Sequence, residues 1–174
     1  MRTKKGVALL LTTCLVILLT GCGNKPSTEH KGQGDDKPKQ ETSVMETTVR
    51  LYYGDKEFAN LVEREAVVTH KTEDAKYLNT LFALQTEPDG EAVSLFKQTT
   101  FHQAKLQADG LLIVDLSLDD EGRLGAFGEL LYVEALKRTL FQFDEVEALE
   151  ILVDGQQVES LMGHVGLAHP IHRQ

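Results

Sequence analysis

The sequence predicts an α+β fold: a single domain with a mostly antiparallel sheet of about five or six strands and two helices on one face. Residues 47–53 alternate apolar and polar side chains, which is the period of a half-buried strand. Residues 77–85 instead place apolar side chains at the helical period. Asp109-Gly110 separates two strand-like stretches and is a strong hairpin signal. Together these features give the order β-β-α-β-β-α-β-β.

The first half of the domain contains two predicted strands and one helix. The opening strand ends at Gly54-Asp55, and a second strand is expected at residues 66–70. Thr72 suits the cap of a helix over residues 73–86, which Pro88-Asp89-Gly90 ends. The side chains expected on the buried face of this helix are those of Tyr77, Leu78, Leu81, Phe82 and Gln85.

The second half is predicted to begin with a hairpin of residues 101–108 and 111–116. A helix that is apolar over much of its circumference follows at residues 122–143. The next strand is expected at residues 146–153. Asp154-Gly155 then turns the chain into a last short strand at residues 156–158.

The composition limits the classes of function. The chain has 174 residues, of which 41% are hydrophobic and 26% charged, so it suits one domain with appendages. Both cysteines, Cys14 and Cys22, lie near the N-terminus, which excludes a disulfide framework, a cysteine zinc site and a catalytic thiol in the domain. The formal net charge of −9 argues against a general nucleic-acid binder, which needs a basic surface.

The N-terminus has the pattern of a secretory signal. Basic residues precede an apolar stretch from Val7 to Leu19, which is shorter than the about 20 residues of a transmembrane helix. The stretch ends at Leu19-Thr20-Gly21-Cys22, which resembles the bacterial lipobox. The resemblance implies a signal peptide at residues 1–21 and a diacylglycerol thioether on Cys22. The alternatives are a plain cleavage site beside an incidental cysteine and an uncleaved anchor.

A linker separates Cys22 from the domain. Residues 23–46 are rich in Gly, Pro, Ser, Thr and charge, so we expect a lipidated cysteine and a disordered tether at 22–46 and a domain at 47–174. Cleavage before Cys22 removes three basic and no acidic residues, which changes the net charge to −12. Anionic headgroups repel such a surface, so the lipid must hold the protein at the membrane.

The domain resembles the GerMN family along residues 47–174. The resemblance is carried by an opening strand with paired aromatics, a Val-Asp-Leu-Ser sequence after the central turn, a Thr-Leu pair in the late helix, and a Leu-Met-Gly-His tail. The matching segments are Val49–Tyr53, Leu61–Val68, Val114–Ser117, Thr139-Leu140, Val153–Gly155 and Leu161–His164 with Pro170. The resemblance implies an envelope module of sporulating bacteria, often on lipoproteins, that is linked to sporulation, germination and envelope assembly. It implies no catalytic residues.

These features predict a protein that is anchored by lipid on the extracytoplasmic face of the cell membrane and acts as a non-catalytic protein-interaction or assembly module. We expect envelope proteins as its partners, with no cofactor and no nucleic acid. The alternative is a module that binds peptidoglycan or a small ligand of the envelope. An enzyme that acts on the wall is a third hypothesis. The sequence leaves the oligomeric state open.

One acidic cluster is the main candidate for chemistry. Asp115, Asp119, Asp120 and Glu121 fall between a predicted strand and a predicted helix, and two such carboxylates serve as acid and base in hydrolases. Because the last three also suit the cap and first turn of a helix, we favour that structural role. A calcium site is less favoured, since the ligand spacing of an EF-hand loop is missing.

Histidines and glycines form two further groups near the C-terminal half. Imidazoles bind zinc or copper, and three of them crowd the end of the chain: His164, His169 and His172. Their spacing favours an arm packed along the sheet edge over a metal site. Three glycines repeat at three-residue spacing: Gly122, Gly125 and Gly128. We interpret them as allowing close packing or a flexible helix start, because the lysine of a phosphate-binding loop is missing.

Hydroxyl and aromatic side chains complete the candidates. The serines lack the context of a nucleophile elbow; they are Ser94, Ser117 and Ser160. A sugar-stacking surface would use Tyr52, Tyr53 and Phe101. Aromatic side chains in strands are more often part of the core, and we favour that interpretation.

Overall fold

The first sheet is built around one long strand. In the computed structural model, which describes residues 43–174, β1 (Met45–Asp55) lies between β2 (Leu61–His70) and the two-residue β3 (Ala92–Val93), antiparallel to both. The first two predicted strands are confirmed, and each is longer than predicted. β3 was not predicted, because two residues are too few to show a period.

Helix α1 (Glu73–Gln85) packs against this sheet. Its cap is confirmed, since the Thr72 hydroxyl accepts the Ala75 N–H at 3.2 Å. The predicted buried face is wrong in part. Tyr77 and Leu81 are buried, but Phe82 is 44% exposed, and the other fully buried side chains are those of Thr80 and Leu84. The buried face therefore lies slightly to one side of the one that the apolar spacing indicates.

The second sheet has the order β4-β5-β6-β7, formed by Thr99–Leu106, Leu111–Leu118, Ala148–Val153 and Ile171–His172. The Asp109-Gly110 hairpin is confirmed, with Gly110 at φ +83°. The predicted α+β class with mostly antiparallel strands is confirmed, and among the described strands only β5 and β6 run parallel. Parallel neighbours need a long crossover connection, and the helix between these strands supplies it. Residues 43–174 contain seven strands in two sheets, where about five or six in one sheet were predicted.

That crossover helix is α2 (Ala126–Leu140), which is shorter at both ends than the predicted 122–143. A separate 3₁₀ turn, Asp120–Gly122, precedes it. The predicted strand at 156–158 does not form. Asp154 and Gly155 make the expected tight turn at positive φ, but only Gln156 then pairs with Val153.

One core joins the helices and the sheets. Phe96 packs against Tyr132 of α2, with 4.4 Å between the ring centroids. Phe96 also packs against Phe101 of β4, with 6.0 Å between the centroids. Around these rings pack fully buried leucines of α1, β5 and α2, which include Leu81, Leu112 and Leu136. The predicted signal peptide, the predicted lipid site at Cys22 and most of the predicted tether lie outside the described residues. Within residues 43–174, neither helix has the length and apolarity to cross a bilayer.

Candidate functional site

Among the helices of residues 43–174, the first two turns of α2 carry the large apolar side chains that are most exposed. Phe127 is 80% exposed and Leu130 is 53% exposed. They lie three residues apart, so they share one face of the helix. α2 begins at Ala126 because Gly125 is its N-cap, and the Gly125 carbonyl accepts the Glu129 N–H at 2.9 Å. Isolated exposed apolar residues are ordinary, but an adjacent apolar groove makes this pair a patch.

The groove lies between α2 and residues 159–173, which we call the C-terminal arm. Its volume is about 210 Å³. Most of the lining is apolar: Leu130, Val133, Val165, Gly166, Leu167, Ala168 and Ile171. Phe127 precedes Leu130 by one turn, so the exposed aromatic ring extends the apolar surface beyond the groove.

A buried carboxylate fixes the arm against α2. Glu129 has no exposed surface. One of its oxygens accepts the Ser160 hydroxyl at 2.7 Å and the Met162 N–H at 2.8 Å, and the other accepts the N–H groups of His164 at 2.8 Å and Val165 at 3.2 Å. Burial alone would raise the pKa of Glu129, but these four donors outweigh it and lower the pKa. The carboxylate is therefore charged and fully bonded at neutral pH.

A histidine holds the middle of the arm. His169 lies between the Glu150 carboxylate, at 2.5 Å from Nδ1, and the Val158 carbonyl, at 2.8 Å from Nε2. The carbonyl and then the carboxylate raise the pKa of His169, because both stabilise the doubly protonated ring. His169 is therefore used in packing, with both ring nitrogens bonded inside the protein.

An arginine holds the end of the arm. The Arg173 guanidinium donates to the carbonyls of Phe141 at 2.7 Å, Phe143 at 2.5 Å and Val146 at 2.6 Å, and its Nε also reaches Val146. These carbonyls lie just beyond the C-terminus of α2, where backbone acceptors lack helical partners and a cation is favoured. Glu129, His169 and Arg173 thus fix the start, middle and end of the C-terminal arm, which forms one wall of the groove.

Beyond the apolar groove the surface becomes basic. A second depression of about 300 Å³ is lined by side chains that include Lys137, Arg138 and Arg173. Glu134 pairs with Lys137 and Arg138, each at 2.8 Å. Burial opposes ionisation of Glu134, but the two cations outweigh it and lower the pKa of this carboxyl. Three cations with one carboxylate leave a local positive charge on a strongly acidic chain.

The four residues of the acidic cluster, Asp115, Asp119, Asp120 and Glu121, do not form one site. Asp115 accepts the Gly155 N–H at 2.8 Å and so stabilises the turn after β6. Asp119, Asp120 and Glu121 are exposed on the 3₁₀ turn. The prediction that they cap the long helix is wrong, because Gly125 separates that turn from α2 and no side chain caps either element.

The histidines do not converge on a metal either. His164 and His172 are exposed, whereas His169 is bonded to Glu150. Among residues 43–174, no group of three or more His, Cys, Asp or Glu side chains is placed to hold a metal ion. The prediction of an arm along the sheet edge is confirmed, since Ile171 and His172 form β7 beside β6.

The remaining candidates have structural roles. Gly122 and Gly128 allow close packing as predicted, because an added Cβ would lie 2.6 Å from Gln98 and from Leu124, respectively. Gly125 has open space around it.

The serines and aromatics also belong to the fold. Ser94 bonds the Leu84 carbonyl, Ser160 bonds Glu129, and the Ser117 hydroxyl lies 3.1 Å from His102. The three aromatic candidates are buried, so the core interpretation is confirmed for Tyr52, Tyr53 and Phe101.

Sequence reasoning missed Glu129 and the Phe127–Leu130 face. Both lie in a stretch interpreted as a helix that is apolar on most sides. A signal for Glu129 was present, because it is the only charged residue between Arg123 and Glu134. A lone carboxylate among apolar helical residues indicates a buried acceptor that needs donors.

Comparison with known proteins agrees with the fold. The family model Germane, described as sporulation and spore germination, matches residues 50–159. No curated protein matches the chain. A Clostridium perfringens protein, assigned only provisionally as a lipoprotein, is 21% identical over 75% of this chain and 88% of its own, with a TM-score of 0.52.

Two solved structures of the Bacillus subtilis sporulation protein GerM are also similar. Its first GerMN domain is 18% identical over 73% of this chain and 98% of that domain, with a TM-score of 0.56. Its tandem GerMN domains are 19% identical over 74% of this chain, with a TM-score of 0.59, and this chain spans 47% of the tandem. The structural likeness shows a shared fold, and the family model covers most of the domain. The chain belongs to the Germane family of sporulation and spore-germination domains, as its resemblance to GerMN domains predicted.

Proposed function

We propose that this protein is anchored by lipid on Cys22 at the extracytoplasmic face of the cell membrane and acts there as a non-catalytic assembly module in sporulation or germination. The observation that carries the proposal is the exposed apolar face of α2 beside a groove whose wall is already fixed. A preformed groove lowers the ordering cost of binding. Such a surface suits a protein contact better than a reaction.

The groove fits an amphipathic helix of a partner protein. Helix-in-groove contacts use apolar side chains at spacings of three and four residues, and most of the residues that line the groove beside α2 are apolar. The two exposed side chains, Phe127 and Leu130, would be covered by such a helix. Its far end would lie over Lys137, Arg138 and Arg173, so we expect acidic side chains there.

The sequence before the domain supports the membrane position. Leu19-Thr20-Gly21-Cys22 has the lipobox pattern, and the Clostridium perfringens relative is provisionally assigned as a lipoprotein. A flexible tether of this length spans roughly 25–30 Å as a random coil. Tethering would keep the domain near membrane partners and raise its effective concentration for them.

Site-specific photo-crosslinking in sporulating cells tests the proposal. A photo-reactive residue replaces Phe127 in one strain and Phe58 in a matched strain, because Phe58 is an exposed aromatic in the loop between β1 and β2. We expect a discrete envelope protein at Phe127 with at least tenfold lower yield at Phe58. Equal yields at both positions contradict the docking face. Recovery of wall fragments without a protein favours the alternative, a peptidoglycan-binding module.

A further inference from the structure

The outer edge of β2 carries backbone groups that no strand of residues 43–174 uses. Within these residues, β2 pairs with β1 on one side and has no second neighbour in its sheet. The hydrogen-bond pattern shows which residues face outward. The Asp55 N–H donates to the Asn60 carbonyl at 2.9 Å, so the pairs that exchange bonds join odd residues of β1 to even residues of the returning chain.

Contacts at β1 support the same alternation. The Arg50 N–H and C=O both bond the Gln142 amide, at 2.7 and 2.8 Å, on the edge of β1 away from β2. Even residues of β1 therefore point away from β2. Each even residue of β1 lies opposite an odd residue of β2, and such pairs exchange no hydrogen bonds. The odd residues of β2 therefore direct their N–H and C=O groups to the free edge: Leu61, Glu63, Glu65, Val67 and Thr69.

Side chains already bond two of the carbonyls on this edge. The Thr69 carbonyl accepts the Asn79 side-chain amide at 2.8 Å, and the Glu63 carbonyl accepts the Arg64 guanidinium at 2.9 Å. Between them lie Glu65 and Val67, whose outward N–H and C=O groups have no such cap in the described part of the chain. An uncapped edge is a template for another strand.

The surroundings indicate the chemistry of such a strand. Val67 is 60% exposed, and Glu63 and Glu65 lie on the same face of the sheet. On the opposite face, a depression of about 330 Å³ beside the edge is lined by Val68, Phe82 and other α1 residues. Successive side chains of an added strand would point alternately to these two faces. On the first face, Arg50 lies directly opposite Glu65, and the Tyr52 hydroxyl donates to Glu63 at 2.6 Å. The two strands place three carboxylates and one cation on this face, those of Glu46, Glu63, Glu65 and Arg50, so it suits cationic side chains, whereas the other face suits apolar ones.

We propose that the β2 edge at Glu65–Val67 accepts an extended segment of a partner protein that alternates apolar and basic residues. The segment adds a strand to the first sheet through the free backbone groups of Glu65 and Val67. Its apolar side chains lie in the depression beside Phe82, and its basic side chains lie near Glu63 and Glu65. A second copy of this acidic chain suits the edge poorly, because two surfaces of like charge repel.

The test uses the full chain in detergent micelles and a blocked hexapeptide that alternates lysine and valine. Hydrogen exchange is measured at each backbone amide with and without peptide. We expect at least tenfold slower exchange at Glu65 and Val67, with no change at Ala66 and Val68, which already bond β1. A peptide of the same composition with its lysines and valines in two blocks should give no protection.

A proline variant distinguishes loss of an outward N–H group at the β2 edge from loss of the fold. Val67→Pro removes only an outward N–H, so the β1 ladder persists and peptide protection is lost. Ala66→Pro removes a ladder N–H and should unfold the first sheet, which confirms the alternation. The proposal is overturned if millimolar peptide leaves Glu65 and Val67 unprotected, or if protection persists in Val67→Pro or with the block peptide. Either result leaves the α2 groove and its crosslinking test untouched.

Discussion

Replacing Glu129 with glutamine should loosen the C-terminal arm while keeping the shape of the side chain. Glu129 accepts four hydrogen bonds, two on each oxygen, from Ser160 and three backbone N–H groups. The amide of Glu129→Gln offers one oxygen and one NH₂ group. Two of the four donors therefore face another donor instead of an acceptor, in a place that water does not reach.

The expected cost follows from these two lost contacts. Hydrogen bonds to a charged group contribute about 1.5–3 kcal/mol each, so the two lost contacts of Glu129→Gln should lower the free energy of unfolding by about 3–6 kcal/mol. For a domain of this size that lowers the melting temperature by roughly 10–25 °C.

The assay is thermal unfolding, with hydrogen exchange at residues 160–165 as a local readout. Glu134→Gln is the matched control, because Glu134 lies on the same helix in a partly exposed pair and should cost no more than about 1 kcal/mol. A melting temperature for Glu129→Gln within about 2 °C of the parent would show that Glu129 does not hold the C-terminal arm. Even one net lost hydrogen bond should lower the melting temperature by more than about 2 °C.

Two further predictions concern pH and a turn. The pKa of His169 is raised in the folded state by the Val158 carbonyl and Glu150, so its stabilisation is present below about pH 6.5 and is lost as pH rises through the raised pKa. Melting temperatures from about pH 5 to pH 9 should fall less in His169→Gln than in the parent, and equal slopes contradict this. Gly110→Ala should destabilise by about 1–3 kcal/mol, because Gly110 is at positive φ and a Cβ there would lie 2.9 Å from Glu147. Gly155→Ala, at positive φ in open space, should cost less in the same unfolding assay.

The elements that the sequence predicted well are those set by local chemistry. Thr72 caps α1 through a hydrogen bond to a residue three positions away, and that signal is complete within one turn. Asp109-Gly110 forms its hairpin because Gly110 adopts a backbone conformation that few other residues accept. Both signals are independent of what packs around them.

The corrected elements depend on distant partners. β6 pairs parallel to β5 only because α2 carries the chain back to the same end of the sheet, and no residue of β6 encodes that direction. Asp119–Glu121 have the composition of a helix start. The helix nevertheless begins later, because Gly122 packs against Gln98 and the chain turns there.

The site was predicted least well, because its parts lie far apart in sequence. The Leu19–Cys22 pattern predicts a lipid anchor outside the described residues, and the resemblance to GerMN domains predicted the family. The groove needs α2 and the arm in contact, and Glu129 reaches donors 31 to 36 residues further along the chain. No local pattern brings these groups together. Phe127 was not singled out, because an exposed aromatic and a buried one look alike in a helix that is apolar over much of its circumference.

The most direct test of the account is the effect of the α2 face on sporulation. The double variant Phe127→Ser, Leu130→Ser should keep the parent melting temperature within a few degrees, because exposed side chains contribute little to the core. We expect it to lower the frequency of heat-resistant spores at least tenfold, whereas Phe58→Ser, at an exposed aromatic in the loop between β1 and β2, leaves the frequency unchanged. Normal spore frequency in the folded double variant would contradict the claim that this groove is the functional surface.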